Sequence, residues 1–291
     1  MTSSLILKRC RPSNPGITLG CVLCACLMPL ISLAQTATTP EQQRQNLVRS
    51  IQKRMPGTNP ADWVLGANSA VVAQAIPLNA GNATNSADIL AIGRKAWERK
   101  FKNGKSLAIC FPNAGKRVAA TYPQYDAKTR KVVTVEMAIN QCLTLHGESE
   151  IATTNAVLMG PLGAYFKSLS DGQRLTVRVG SAQAREKYDA GLALYQRRIG
   201  QQNVACASCH VQNAGNIYQQ QGLSAVIGQA VTWPRLQPGG QVLGLQAQFQ
   251  RCMQRSGADP FAVGSEELNN LEYFHAFMSN GLAMRTLAIQ R

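Results

Sequence analysis

The stretch NVACASCHVQNAG, residues 203 to 215, holds Cys206, Cys209 and His210 in the order C-x-x-C-H. In this spacing two cysteines can form thioether bonds to one haem, and the adjacent histidine can bind its iron. An amphipathic helical pattern precedes the motif, which disfavours a thioredoxin-like C-x-x-C site. A zinc site would need a second ligand pair at short spacing, and the sequence has none. We therefore predict one covalently bound haem c.

The first 34 residues have the features of a secretory signal peptide. Lys8, Arg9 and Arg11 precede the apolar run ITLGCVLCACLMPLISLA, which ends in small residues at Ala34. Basic residues, an apolar run and a small-residue site in this order are typical of export signals. An uncleaved membrane anchor is the alternative, but Pro29 interrupts the run. We predict cleavage after Ala34, a periplasmic location and no stable membrane insertion.

The charge of the chain indicates what kind of partner it binds. The sequence has 30 Lys and Arg against 15 Asp and Glu, a net charge of +15. The leader carries three basic and no acidic residues, so the mature chain keeps +12 (15 − 3). A strongly basic exported protein suits an anionic substrate or an acidic partner. Neither the predicted compartment nor any basic and aromatic cluster favours nucleic acid, so we expect no nucleic-acid partner.

Three segments of the first half of the chain align, in the same order, with three segments of the second half. The aligned pairs are 91–111 with 189–210, 122–142 with 233–252, and 162–172 with 271–281. One such similarity could arise by chance, whereas three in the same order indicate a tandem duplication. In the first pair, Gly93 and Trp97 align with Gly191 and Tyr195.

The first half lacks the complete haem motif. Its aligned residues are Leu107, Cys110 and Phe111, so one thioether cysteine and the iron-binding histidine are absent. We expect no covalent haem there. Cys110 can then pair with Cys142, which aligns with Cys252. Two buried reduced thiols are the alternative, which an oxidising compartment disfavours.

The second face of the haem iron has several candidate ligands in this chain. They are Met253, Met278, Met284, His275 and Cys252. A methionine would make a high-potential electron carrier, although methionines at helical spacing usually pack in a core. His275 lies in the apolar segment YFHAFM and suits a buried structural role. Cys252 is the odd cysteine of the predicted mature chain, and the flanking Arg251 and Arg255 favour its thiolate, so we favour Cys252.

Nearly the whole mature chain resembles SoxA, the larger cytochrome subunit of the SoxAX complex of sulfur-oxidising bacteria. The resemblance rests on YPQYD, KVVTVEMAINQC, GQQNVACASCH and RCMQRSGADPFAVGSEE, in this order, and on the doubled arrangement. It implies a mainly α fold of two tandem cytochrome c-like domains. It also implies the single-haem type, in which the amino-terminal domain has lost its haem and its cysteines, here Cys110 and Cys142, pair.

The resemblance also implies an activity. With the small cytochrome SoxX, such proteins oxidatively attach thiosulfate to a cysteine of the carrier SoxYZ, and two electrons leave through haem towards a soluble c-type cytochrome. The family's catalytic cysteine, found as a persulfide, is also an axial ligand and falls on Cys252. His210 falls on the proximal ligand, and Cys206 and Cys209 fall on the thioether positions.

One position departs from the family pattern. The family usually has an arginine four residues before the catalytic cysteine, where this sequence has Gln248. A neutral side chain can still bind substrate oxygens by hydrogen bonds, and arginines lie nearby. Gln248, Arg251 and Arg255 are therefore the candidate substrate-binding residues. The alternative function is an electron-relay module in which Cys252 is only a ligand and no sulfur is transferred.

We expect four segments along the chain. They are a signal peptide (1–34), an amino-terminal extension (35–84), a degenerate cytochrome c-like domain without haem (85–174) and a haem-binding cytochrome c-like domain (175–291). The extension is rich in Gln, Ala and Asn, and its sequence does not indicate a function.

Overall fold

Helices and short connecting hairpins make up the described part of the chain. The structure, a computed structural model, describes residues 38–65, 86–218, 221–237 and 240–287. The predicted signal peptide and its cleavage site lie outside these residues. Among the described residues, no helix is both long and apolar enough to cross a membrane.

The described residues confirm the predicted mainly α fold. The α-helices are α1 (Pro40–Arg54), α2 (Ser86–Glu98), α3 (Val135–Leu145), α4 (Met159–Ser168), α5 (Ala182–Gln196), α6 (Leu245–Arg255) and α7 (Glu266–Met278). Shorter helical turns are Pro60–Leu65, Leu107–Cys110, Pro112–Gly115, Ala119–Thr121 and the π-turn Ser208–Gln212. Three antiparallel pairs form the strands, namely β1 (Gln124–Asp126) with β2 (Lys131–Val133), β3 (Ile217–Tyr218) with β4 (Gln221–Gly222), and β5 (Arg235–Leu236) with β6 (Val242–Leu243).

Four helices begin at side-chain caps, which explains where their boundaries fall. The capping hydroxyls belong to Thr39, Thr134, Ser181 and Ser265, and each accepts from a backbone N–H in the first turn. At α1 the Gln42 side chain also accepts from the Thr39 backbone, which completes a capping box. These bonds satisfy backbone donors that a helix start leaves without an intrahelical partner.

The two aligned halves repeat one order of elements. The first half runs α2, β1–β2, α3, α4, and the second runs α5, β5–β6, α6, α7. In each half a glycine lets the outer helices cross in backbone contact. A Cβ at Gly93 would lie 2.1 Å from the Pro161 carbonyl oxygen, and one at Gly191 would lie 2.0 Å from that of Asn270. Any larger residue would clash there, and this matched crossing is consistent with the predicted duplication.

One large buried core comes from the first half and another mainly from the second, and the extension joins the second one. Trp97, Ile139 and Phe166 are among the buried residues of the first core. The second core includes Ile51 and Trp63, which come from α1 and the turn after it. Residues 38–65 therefore pack with the half that carries the C-x-x-C-H motif.

Candidate functional site

The C-x-x-C-H segment follows α5 and enters the π-turn Ser208–Gln212. Cys206 and Cys209 are half-buried there and form no disulfide. The Nδ1 of His210 lies 2.8 Å from the backbone oxygen of Ser224. Because a carbonyl oxygen can only accept, Nδ1 carries the hydrogen and Nε2 is left to bind a metal.

A buried hydrogen-bond network lies next to Ser224, the residue that binds the His210 side chain. No pattern in the sequence indicates this network. The Ser224 hydroxyl accepts from the side chain of Gln229, whose Oε1 in turn accepts from Trp233 Nε1 and Arg235 Nη2, each at 3.1 Å. The Arg235 guanidinium also lies over the Trp233 ring, 4.4 Å from its centroid. Such second-layer bonds hold a metal-binding imidazole in one orientation.

The structure brings Cys252, on α6, into contact with the C-x-x-C-H segment. The side chains of Cys252 and His210 form a hydrogen bond, although the two residues lie on separate elements. Of the five candidates for the second axial position, Cys252 is the one for which the described structure gives a hydrogen bond to His210. Met253, Met278 and Met284 are instead buried in the second core.

The environment of Cys252 favours its thiolate more than that of either motif cysteine. Burial raises the pKa of the Cys252 thiol, but hydrogen bonds and positive charge from His210 and Arg255 outweigh it and lower that pKa to about 7. Burial raises the pKa of Cys206 to about 12, and it also raises the pKa of Cys209. A low thiol pKa is typical of cysteines that act as nucleophiles or metal ligands.

Two of the three candidate substrate-binding residues lie at the Cys252 sulfur. Gln248 Nε2 is 3.5 Å from Sγ, and Arg255 Nη2 is 3.4 Å from it. These residues are one turn before and one turn after Cys252 on the same face of α6. Arg251 Nη1 instead donates to the Oε1 of Gln237 at 3.0 Å. The sulfur is thus flanked by one amide and one guanidinium.

The first half places a disulfide and an aromatic stack where the second half has its motif. Cys110 and Cys142 are joined by a disulfide, with their Cα atoms 5.9 Å apart. Phe111, which aligns with His210, has its ring centroid 5.4 Å from that of Trp97 and 4.5 Å from that of Phe166. Phenylalanine cannot bind iron, and both cysteines are already bonded, so the described residues at these aligned positions offer neither a thioether cysteine nor an iron-binding histidine.

His146 lies beside the disulfide, with a ring nitrogen and the two sulfurs within 4.8 Å of one another. Its Nδ1 lies 3.0 Å from the Nδ2 of Asn103. Because metals bind thiolates and not disulfide sulfurs, this cluster is not a metal centre while the disulfide is intact.

The second half fits a covalently bound haem. Two thiols three residues apart can form thioethers, His210 has its tautomer set for metal binding, and Cys252 can become a thiolate. Tyr195 Oη and His275 Nδ1 are among the buried side-chain atoms of this half for which the described structure gives no hydrogen-bond partner. Buried polar atoms normally have hydrogen-bond partners, and a group bound in the second half would supply polar atoms close to these two.

A sequence profile described as SoxA/TsdA, cytochrome c domain, matches the chain over residues 92–175 and 190–284. The two matched segments correspond to the two aligned halves. The site cysteines and His210 all fall inside them.

Relatives called L-cysteine S-thiosulfotransferase subunit SoxA are similar to this chain. The protein from Chlorobaculum tepidum is 38% identical over 191 residues, which cover 65% of this chain and 66% of the relative. The chain thus spans slightly less than two thirds of that relative's length. The protein from Allochromatium vinosum is 30% identical over 261 residues, which cover 86% of this chain and 89% of that relative.

A solved structure, described as the crystal structure of SoxXA from P. pantotrophus, has the same fold. The TM-score is 0.63 at 26% sequence identity, over 71% of this chain and 80% of the matched chain. This match agrees with the cytochrome c-like architecture.

Proposed function

Because this chain belongs to the SoxA/TsdA cytochrome c family, we propose that it is an L-cysteine S-thiosulfotransferase subunit of the SoxA type. Its reaction joins the outer sulfur of thiosulfate to the sulfur of a cysteine on the carrier SoxYZ. One S–S bond forms, the carrier thiol loses its proton, and two electrons are removed.

Cys252 is the proposed catalytic residue, carrying sulfur as a persulfide, and the single observation that supports it is its setting. Its sulfur lies between Gln248 Nε2 at 3.5 Å and Arg255 Nη2 at 3.4 Å, and although burial raises the pKa of the thiol, the Arg255 guanidinium is among the groups that lower it. A thiolate at neutral pH can act both as an axial ligand and as a sulfur nucleophile.

The Cys252 neighbours provide for an anionic substrate. Arg255 offers a charge-assisted hydrogen bond to a sulfonate oxygen, and Gln248 offers a neutral amide donor. The basic character of the chain would draw a dianion towards this face. Arg251 is not part of the group that contacts the sulfur, because its guanidinium donates to Gln237 instead.

One covalently bound haem c is the proposed cofactor: Cys206 and Cys209 would form its thioethers, and His210 and Cys252 would bind its iron. A haem held by these residues would supply a one-electron redox centre for the reaction. Ser224 keeps His210 in the tautomer that binds iron, and the aromatic stack around Phe111 supports a count of one haem per chain.

The partners and location follow from the same assignment. SoxX is the proposed second subunit, SoxYZ the carrier substrate, thiosulfate the sulfur donor, and a soluble c-type cytochrome the electron acceptor. The proposed location is the periplasm, after cleavage at Ala34. The proposed boundaries remain 85–174 for the domain without haem and 175–291 for the haem domain.

Replacing Cys252 tests the enzyme directly. We expect Cys252→Ala to abolish thiosulfate-dependent turnover with SoxX and SoxYZ, while haem stays attached through Cys206 and Cys209. Arg185→Gln is the control, because Arg185 pairs with Asp189 on α5 and has no described contact with the sulfur. Near-normal turnover by Cys252→Ala would reject the proposal.

An electron-relay module is the second candidate function, and Gln248 in place of the usual arginine favours it. Intact-protein mass spectrometry of chain purified from sulfur-grown cells separates the two. A sulfur adduct on Cys252 supports the enzyme, and its consistent absence supports the relay.

The haem count has its own test. A pyridine haemochrome assay against protein concentration should give one haem per chain. Two haems per chain would contradict the assignment of Cys110 and Cys142 to a disulfide.

A further inference from the structure

The duplication allows each haem-site residue to be compared with its counterpart in the half without haem. At three aligned positions a ring without a hydrogen-bond acceptor in the first half is replaced by a ring with one in the second half. They are Phe111 against His210, Trp97 against Tyr195, and Phe166 against His275. His210 is explained as an iron ligand, whereas Tyr195 and His275 have no role in the proposed reaction.

In the first half these positions form one apolar stack. The Trp97 and Phe166 ring centroids are 4.8 Å apart, and Phe111 lies 4.5 Å from Phe166. Phe166 is fully buried and Trp97 is 3% exposed. Close-packed aromatic rings alone are therefore enough to fill this part of the fold.

In the second half the same part of the fold contains two polar rings. Tyr195 and His275 are 3% and 4% exposed, and their centroids lie 6.1 Å apart with the rings edge-on at 72°. Within the described residues, neither Tyr195 Oη nor His275 Nδ1 has a hydrogen-bond partner. Leaving a buried polar atom unpaired destabilises the fold, so the presence of these two atoms requires a reason beyond packing.

Both rings lie within electrostatic range of residues of the proposed haem site. Burial raises the pKa of the Tyr195 hydroxyl, and the charges of Cys206, Cys209 and Cys252 raise it further, which places this hydroxyl within their electrostatic range. Burial lowers the pKa of His275 to about 3, with His210 and Arg235 adding to the effect. The His275 imidazole is therefore neutral at physiological pH, with one ring nitrogen that accepts and one that donates.

We propose that Tyr195 and His275 are positioning residues for the haem: once the haem is bound, the Tyr195 O–H would donate to His275 Nδ1, which gives both atoms the partner that they lack in the described structure and leaves His275 Nε2–H as a donor into the haem pocket. The hydrogen bond made by one imidazole nitrogen determines which nitrogen carries the proton, so Tyr195 sets the His275 tautomer. This inference rests on the proposed haem site.

The expected consequence is a higher reduction potential. Reduction adds one electron, and so one negative charge, to the haem. An N–H dipole directed at the haem stabilises this reduced state, and the effect is large in a low-dielectric interior. Hydrogen bonding around a haem is one of the features by which a protein sets its potential. The first half, for which we propose no haem, has Trp97 and Phe166 at these two positions.

Redox titration of the full-length haem-loaded chain tests this with three variants. Tyr195→Phe removes only the hydroxyl, and His275→Asn retains a polar group near the Nδ1 position but no donor near Nε2. We expect each to shift the oxidised-to-reduced equilibrium about three- to tenfold towards the oxidised form, where tenfold is about 59 mV for one electron. His275→Gln restores a donor near the Nε2 position and should stay within about twofold of wild type.

Tyr188→Phe is the matched control, because Tyr188 is on the same helix but its hydroxyl donates to Gln43. Equal potentials in wild type, Tyr195→Phe and His275→Asn would overturn the inference, and so would equal shifts in His275→Asn and His275→Gln, which indicate packing alone. Haem content and the ferric electron paramagnetic resonance spectrum are recorded for every variant. A wild-type chain without haem would reject the proposed function, whereas unchanged potentials in haem-loaded variants would reject only the role of this pair.

Discussion

Arg255 Nη2 lies 3.4 Å from the Sγ of Cys252, one turn further along α6. Although burial raises the pKa of the Cys252 thiol, this guanidinium and His210 lower it to about 7. The Arg255 guanidinium thus stabilises the Cys252 thiolate and also lies where it can bind an anionic substrate.

Neutralising Arg255 should therefore lower catalytic turnover. A hydrogen bond to a charged group contributes about 1.5–3 kcal/mol, so we expect Arg255→Gln to reduce kcat/KM for thiosulfate by roughly 10- to 100-fold. Steady-state kinetics with SoxX and SoxYZ provide the measurement. Arg255→Lys keeps the charge and should lose less activity, and Arg185→Gln, which removes an arginine from α5, should lose none. Equal kinetics for Arg255→Gln and wild type would exclude this role.

Glu272 should make the stability of the protein depend on pH. Burial and the negative charge of Glu136 raise its pKa from the usual 4.5 to about 7, and Gln246 Nε2 donates to its Oε2 at 2.9 Å. In the unfolded chain this carboxyl loses its proton near 4.5, whereas in the folded chain it keeps the proton until about 7. The folded state thus binds more protons in this window, and the free energy of unfolding falls as pH rises through it.

Glu272→Gln should remove that contribution. We expect the urea midpoint of the variant to fall less than that of wild type between pH 5 and pH 8. Glu266→Gln, at the start of the same helix, has a lowered pKa and serves as the control. Identical pH profiles for Glu272→Gln and wild type would show that Glu272 is not protonated in the folded protein.

The disulfide of the first half should stabilise the fold without influencing the haem. The Cys110–Cys142 bridge spans a sequence separation of 32, and the double replacement by alanine should lower the free energy of unfolding by about 2–4 kcal/mol. Chemical denaturation measures this loss, and the haem spectrum should remain unchanged. A changed haem spectrum would mean that the bridge also supports the second half.

Trp63 should anchor the extension to the haem-binding half. It is 1% exposed, its Nε1 donates to Thr58 Oγ1 at 2.7 Å, and its carbonyl accepts from the backbone of Ala225, next to the residue that orients His210. Trp63→Ala should cost about 3–5 kcal/mol of stability, while Trp63→Phe, which keeps most of the apolar volume, should cost less. Thermal unfolding followed by haem absorbance measures both, and equal midpoints for Trp63→Ala and wild type would contradict the anchor.

The sequence predicted the elements whose signal is local or repeated. Helical periodicity and the aligned glycines indicated two similar halves, and Gly93 and Gly191 do lie at matched helix crossings. It could not predict the support of His210 by Ser224 and Gln229, because these contacts join residues that no local pattern relates. Nor could it predict that residues 38–65 pack with the second core, since burial of an extension depends on the shape of the surface it meets.

At the site, the sequence by itself determined the chemistry of the groups. The C-x-x-C-H spacing and the residues Leu107, Cys110 and Phe111 at the aligned positions of the first half are read directly from the sequence, and the odd cysteine follows from the predicted cleavage after Ala34. Only the tertiary structure decided which side chains share the Cys252 sulfur, namely Gln248 and Arg255 but not Arg251, which contacts Gln237. The physical reason is that the helix brings residues three and four positions away to the sulfur, whereas the adjacent Arg251 contacts the neighbouring loop. The distance between a charge and the sulfur, and not their separation in sequence, determines the pKa of the thiol.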